Sequence, residues 1–367
     1  MSKIRVLIID DSVVVRRIVS DVLSGDPALE VAGTAAHGKI GLAKIPQVTP
    51  DVITLDMEMP EMDGLATLAA IRKLYPRLPV IMFSTLTQRG ASATLDALAL
   101  GANDYVTKPA NVGSVAAAQQ SLRDQLIPKI KALCAKTQRV EAAAPQQSVR
   151  LARPVTIART ISSKSSIIDV VAIGVSTGGP NALSELLPAI PANFPVPIVI
   201  VQHMPPMFTK LLSDRLDSQC KIEVREGAQG DAVLSNHAYV APGDYHMVVK
   251  RGVANPILLL QQELPENSCR PAVDVLFRSV IDVYGAGTLG VILTGMGQDG
   301  LRGCEGIREV GGQILAQDEE SSVVWGMPGF VAKAGLADQV LPLNQIAAEI
   351  VRRVQKGRLA NQVPSVS

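Results

Sequence analysis

The chain reads as an α/β protein in two domains. The first is expected to hold a five-stranded parallel sheet. The second is larger, with a mainly parallel sheet and an antiparallel hairpin insertion. Two observations predict this. Short β-rich apolar runs alternate with stretches whose apolar residues recur every three or four positions, over residues 1–125 and again from Ile167. Between those regions, Lys136–Ser165 carries six Lys/Arg against one Glu and has no sustained apolar period, the composition of a flexible basic tether. The expected boundaries are therefore a first domain at 1–125, a linker at 126–166 whose start can extend the preceding helix, a second domain at 167–355, and a disordered tail at 356–367.

Composition excludes several classes of function. The 367 residues carry a net charge of +1 and only 3% aromatics, which leaves no global field and few stacking platforms for nucleic acid. Apolar residues at 47% and charged residues at 19% suit globular domains. The four cysteines, Cys134, Cys220, Cys269 and Cys304, lie far apart without C-x-x-C spacing, which fits a reducing compartment rather than a zinc knuckle or redox pair. The first residues, MSKIRVLIIDD, meet two aspartates too early for a secretory signal. No apolar run reaches the ~18 residues of a membrane span. A cytoplasmic protein without membrane insertion is the expectation.

In the first region the candidate strands are Ile4–Asp10, Leu29–Ala35, Asp51–Asp56, Pro79–Ser84 and Asp104–Lys108, separated by helical patterns such as SVVVRRIVSDVL and GLATLAAIRKLY. Ligands of a parallel α/β sheet gather outside the carboxyl ends of its strands. Those ends carry Asp10 and Asp11, then Asp56, then Ser84, then Lys108. Clustered carboxylates repel one another unless a hard cation sits among them, and oxygen donors suit Mg²⁺. With such a metal in place one carboxylate can attack a phosphoryl group. Asp56, at the tip of the central strand, is the expected acceptor, with Asp11 holding the metal directly and Asp10 through water. Ser84 and Lys108 would meet the phosphate oxygens.

The motifs IIDDS, DMEMPEMDG, FST and TKP resemble those of response-regulator receiver domains, which have a flavodoxin-like (βα)5 fold. The resemblance implies phosphorylation of Asp56 by a sensor histidine kinase and Mg²⁺ bound by Asp11, Asp56 and the backbone carbonyl of Glu58. It further implies phosphate sensing by Ser84 and Lys108, and a switching aromatic at Tyr105.

The second region holds strand-like runs at Ile167–Val175, Val196–His203, Lys221–Glu226, Ala232–Pro242, Tyr245–Arg251, Ile257–Gln262, Thr288–Gly295 and Gln313–Asp318. Residues 222–262 read as consecutive hairpins and the flanks as βαβ units. In VAIGVSTGGP an apolar strand stops at Ser176 among glycines. Such a loop either cradles a phosphate or presents a nucleophile, and GVSTG fits the G-x-S-x-G elbow. No lysine stands where a P-loop needs one. Of the four histidines, His37 falls in the first domain and His237 and His246 in the hairpin region. His203 ends another apolar strand, where a general base for Ser176 would stand. TLGVILTGMGQDG is a third such strand, and its loop carries Asp299. A Ser-His-Asp set drawn from three strand ends makes a hydrolase the better reading. Its order along the chain differs from the Ser-Asp-His order of α/β-hydrolases.

The motifs IGVSTGGP, VQHMPPMFT, AYVAPGDYH, CRPAVDVLF, LTGMGQDG and WGMPG resemble the chemotaxis protein-glutamate methylesterase family, CheB, from Asp169 to Val340. The resemblance implies a triad of Ser176, His203 and Asp299, an oxyanion contact from the backbone N–H of Met296, and a histidine-positioning role for Thr177. It implies no cofactor for the esterase reaction. The substrates would be γ-methyl esters and glutamine amides of methyl-accepting chemoreceptors, and the unphosphorylated receiver would block the catalytic face. The competing readings are a phosphorylation-gated hydrolase of another ester and a gated binding module with an idle second domain.

Overall fold

The computed structural model describes residues 3–108, 115–142 and 167–359. The first domain alternates β1 (Ile4–Ile9), α1 (Val13–Ser24), β2 (Leu29–Ala35), α2 (Gly38–Val48), β3 (Val52–Asp56), α3 (Gly64–Leu74), β4 (Val80–Ser84), α4 (Gln88–Ala99), β5 (Asp104–Thr107) and α5 (Val115–Ala142). All strand pairs are parallel, in the order β2-β1-β3-β4-β5. The central strands β3 and β4 are buried along their whole length, as near-continuous apolar runs covered on both faces must be. Short polar side chains start three of the helices. Ser12, Asp63 and Thr87 each accept a hydrogen bond from the first turn, leaving fewer orphan N–H groups at each end.

Helix α5 continues to Ala142, so the start of the expected linker extends the preceding helix. Leu126, Ile127, Ile130, Leu133 and Cys134 are buried, so this part of the chain has a periodic apolar face and a core to cover. The rest of the expected linker, from residue 143 to 166, lies outside the described residues.

The second domain contains β6 (Val170–Val175), α6 (Gly179–Leu186), β7 (Ile198–Gln202), α7 (Phe208–Asp217), β8 (Glu223–Glu226), β9 (His237–Val240), β10 (His246–Lys250), β11 (Ile257–Gln261), α8 (Val273–Tyr284), β12 (Thr288–Ile292), α9 (Leu301–Glu309), β13 (Gln313–Gln317), α10 (Met327–Lys333), β14 (Gln339–Leu341) and α11 (Leu343–Leu359). Seven strands form one sheet in the order β14-β13-β12-β6-β7-β9-β8, with every pair parallel. Among the strands of the described residues, only β10 and β11 pair antiparallel.

The expectation of consecutive hairpins over 222–262 therefore holds for one pair and fails for the other. β8 and β9 run parallel because residues 227–236 carry the chain back along the strand before β9 begins. That return is tied down by the bridge between Ala232 and Ile257 of β11. β14 is too short for its sequence to announce it. α11 reaches Leu359, so the start of the expected disordered tail is helical. Residues 360–367 lie outside the described set.

The sheet order makes β6 the switch point. Its neighbours are β7 on one side and β12 on the other, so the connections leave in opposite directions and a crevice opens at its carboxyl end. Close helix packing beneath the crevice depends on Gly174 in β6. A Cβ there would lie 2.5 Å from Val273 Cγ1 and 2.8 Å from Val273 Cγ2 at the start of α8. Gly174→Ala should therefore lower the unfolding free energy by about 1–3 kcal/mol. The urea midpoint of the second domain measures this, and an unchanged midpoint would mean that α8 can retreat freely.

Candidate active site

Two clusters stand at strand carboxyl ends. In the first domain, oxygens of Asp10, Asp11 and Asp56 lie within 4.8 Å of one another. Lys108 Nζ is 2.7 Å from Asp56 Oδ1 and 3.2 Å from Asp10 Oδ2. Asp10 Oδ2 and Asp56 Oδ2 are both buried without a hydrogen-bond partner. Burial pushes the Asp56 carboxyl up to about 6, against the pull of Lys108, and the charge of Asp10 adds to the rise. Asp10 is raised too, chiefly by burial. One ammonium among three carboxylates leaves this pocket short of positive charge. The orphaned oxygens and the all-oxygen donor set fit a hard divalent cation. Asp11, Asp56, Glu58, Thr85 and Lys108 line a cavity of about 540 Å³ here. Ser84 is engaged by α4. Its hydroxyl donates to Gly90 O (3.2 Å) and accepts from Thr94 Oγ1 (2.6 Å), both on α4.

In the second domain, Ser176 follows β6, His203 follows β7 and Asp299 lies in the loop after β12. The strand ends are cross-braced. The Ser176 N–H donates to Thr294 O (3.0 Å), the His203 N–H to Val175 O (3.2 Å), and Gln202 Nε2 to Ser176 O (3.0 Å). Gly178 adopts φ +79°, which turns the chain from Ser176 into α6 without a Cβ clash. Across the crevice, a side chain at Gly295 would place its Cβ 2.9 Å from the Cβ of Ser176, so a glycine there leaves room for the serine.

His203 Nε2 and Asp299 Oδ2 lie 2.8 Å apart. The carboxylate is fully engaged. Oδ2 also accepts from the Val273 N–H (2.6 Å), and Oδ1 accepts from the Asp274 N–H (3.1 Å) and from Asn267 Nδ2 (2.9 Å). Val273 and Asp274 open α8, so the buried charge sits on the positive end of a helix. Burial alone would raise the Asp299 pKa, but His203 and these N–H groups outweigh it and hold it below its ordinary value. Burial disfavours a charged ring at His203, yet the bond to Asp299, with Cys269 second, raises its pKa above 6.5 to about 10.

Ser176, His203 and Met296 line one cavity of about 740 Å³. Among the described residues no hydrogen bond joins the Ser176 hydroxyl to His203. The free side of the ring faces a different group, with Cys269 Sγ 3.7 Å from Nδ1.

The first domain roofs this cavity. Asp104, Tyr105, Thr107, Gln125 and Lys129 line it from above. Thr177 Oγ1 donates to Asp104 Oδ2 (2.7 Å), whose other oxygen takes Lys129 Nζ at 2.9 Å. Among the described residues the Thr177 hydroxyl thus bonds the other domain, and no hydrogen bond joins it to His203. Tyr105 is buried in a stack on Phe208 of α7, with ring centroids 4.9 Å apart and planes 5° apart. Helix α4 adds the bond from Asn181 Nδ2 to Leu98 O (2.8 Å) and the ion pair of Asp96 with Arg215 (2.7 Å).

Four residues of this arrangement escaped the sequence reading: Asp104, Asn267, Cys269 and Asp274. Asn267 Nδ2 bridges the buried carboxylates of Asp299 and Asp274 from a backbone at φ +52°. The Asn-Ser pair ahead of Cys269 is the kind of turn signal that could have flagged this loop. An aspartate opening a strand, such as Asp104, carries no signal of its own.

Residues 171–350 match the family model described as CheB methylesterase, and residues 6–120 match that of the response regulator receiver domain. A protein-glutamate methylesterase/protein-glutamine glutaminase of Trichodesmium erythraeum (strain IMS101) is 57% identical over 354 residues, covering 96% of this chain and 100% of that protein. A protein of the same name from Nocardioides sp. (strain ATCC BAA-499 / JS614) is 49% identical over 371 residues, covering 100% of this chain and 98% of that protein. The crystal structure of the Thermotoga maritima CheB methylesterase catalytic domain aligns with 51% of this chain and 99% of its own length, at 42% identity and a TM-score of 0.50. A receiver domain packed over a CheB methylesterase domain makes this chain a member of the CheB methylesterase family.

Proposed function

We propose that this protein is a phosphorylation-activated protein-glutamate methylesterase, with glutaminase activity, that acts on chemoreceptors in the cytoplasm. The relatives' shared name favours a glutamyl side chain over another ester. The observation that carries the chemistry is the His203–Asp299 pair at the sheet's switch point, in a cavity shared with Ser176. No helix among the described residues is long and apolar enough to cross a membrane.

In this reading neutral His203 takes the proton of Ser176, and Oγ attacks the γ-carbonyl. Asp299 holds the ring in one tautomer and stabilises its charged form. The oxyanion falls against the Met296 N–H, a contact worth roughly 3–4 kcal/mol at comparable sites. Methanol or ammonia departs with the proton from His203. Water then cleaves the acyl-enzyme by the same path in reverse. The resting contact of His203 with Cys269 has to give way to Ser176 before the first step.

The gate is the roof. A sensor histidine kinase would phosphorylate Asp56. Asp10, Asp11, Asp56 and the Glu58 carbonyl would hold Mg²⁺, which screens the charge on the transferred phosphoryl group. Lys108 and Ser84 would then turn to the phosphate. Ser84 now hydrogen-bonds α4, and α4 carries the Leu98 and Asp96 contacts to the second domain. Drawing Ser84 away from α4 therefore disturbs the elements that hold the roof in place.

Ser176→Ala should abolish methanol release from methylated receptor membranes while leaving phosphorylation of Asp56 intact, and unchanged release would end the serine assignment. Asp104→Ala removes a charge-assisted bond worth about 1.5–3 kcal/mol. It should raise the rate of the unphosphorylated enzyme roughly tenfold or more, and an unchanged rate would mean that this contact does not hold the roof. The base must be neutral, so kcat/KM should rise with pH through the pKa of His203, with its midpoint above 6.5. Asp299→Asn should move that limb to lower pH and reduce kcat on the order of 10⁴-fold. A limb that stays in place would separate Asp299 from the base.

A further inference from the structure

We propose that Cys269 is a histidine-activated thiol, a modification site for hydroperoxides whose oxidation to the sulfenic acid switches the hydrolase off. The site is a cluster of groups. Sγ of Cys269, a ring nitrogen of His203 and a carboxylate oxygen of Asp299 all lie within 4.8 Å of one another. The thiol is half-buried on the wall of the same cavity as Ser176, open to a small solute. It stands 3.7 Å from His203 Nδ1, the nitrogen that Asp299 leaves free.

The loop that carries it is anchored on both sides. Asn267 binds Asp299 and Asp274, and Arg270 binds Asp244 and the carbonyls of Gln262 and Glu263. The sulfur is therefore held against the ring. A ring nitrogen at that distance can take the thiol proton as the sulfur reacts. The other three cysteines lack such a partner. Cys134 and Cys304 are buried in the core, and burial pushes the Cys134 thiol up to about 12. Cys220 is half-buried beside Asp217 and is pushed up to about 11, chiefly by burial.

The chemistry balances with one named co-reactant. The thiol proton passes to Nδ1, and the sulfur attacks the distal oxygen of the hydroperoxide. An S–O bond forms and the O–O bond breaks. The leaving oxygen takes the proton back from His203 as water or an alcohol. Sulfur loses two electrons and the peroxide gains them. Two equivalents of a small thiol reverse the step, giving a disulfide and water. While it lasts, the S–OH group occupies Nδ1, where the proton of Ser176 must go. This consequence for hydrolysis rests on the proposed role of His203 as base.

The test uses the full chain. After treatment with hydrogen peroxide, dimedone should mark Cys269 roughly tenfold faster than Cys220 in the same sample, read by mass spectrometry. In a parallel peroxide-treated sample without dimedone, methanol release should fall in proportion to the fraction that dimedone marks and return with dithiothreitol. His203→Gln should slow the marking of Cys269 to that of Cys220. Cys269→Ala should keep its own untreated rate after peroxide. Equal marking of Cys269 and Cys220, full marking without loss of rate, or an equal loss in Cys269→Ala would each overturn the proposal. Failure of the base reading looks different, because His203→Gln would then keep its methanol release whatever the cysteine does.

Discussion

One buried carboxylate organises the catalytic half of this molecule. Asp299 is 2% exposed, and its two oxygens take hydrogen bonds from His203, Asn267 and the first N–H groups of α8. An unpaired charge at that depth would cost several kcal/mol. The pairing turns that cost into position, because three separate pieces of chain must meet before the charge is satisfied. The loop after β12 brings the carboxylate, the end of β7 brings the ring, and α8 brings the N–H groups. The close packing of α8 on Gly174 of β6 then fixes the N–H groups relative to Ser176.

The same crevice explains how a second domain can control it. A pocket at strand carboxyl ends is open on one side, and the receiver closes that side with its own β5, α4 and α5. The contact mixes a buried aromatic stack with two hydrogen bonds and one exposed ion pair. Val324, beside the Met296 loop, also packs into the apolar cluster that holds Leu122 and Leu126 of α5. The two domains therefore meet through both apolar and polar groups, with Leu95, Leu98 and Tyr105 of the first in one apolar cluster with Phe208 and Leu212 of the second. The interface's two hydrogen bonds fall on Thr177 and Asn181, one and five residues after Ser176, and its ion pair falls on Arg215 of α7.

The parts legible in the sequence were those set by strand ends. Buried parallel strands are near-continuous apolar runs, and the polar residues that end each run mark the ligand edge, as with Asp56, Ser176 and the Gln202–His203 pair. The illegible parts depend on relations between segments. Whether β8 and β9 run parallel is decided by the path of residues 227–236, which has no periodicity to read. That α5 can extend into the linker was legible, but its end was not, because the last turns carry the polar composition of a tether. Thr177 sits in a recognisable motif, but its partner is an aspartate 73 positions earlier that nothing in the motif specifies. Cys269 reads as an isolated cysteine until the loop folds it against His203.

The central claim is that a buried Asp299 controls the protonation of His203 beside Ser176. The ¹⁵N resonances of the His203 ring, followed through a pH titration of the intact protein, test it most directly. A midpoint well above 6.5 is expected, with the Nε2 proton held toward the carboxylate. A midpoint at or below 6.5 would mean that the pair does not form, and the catalytic reading built on it would fail.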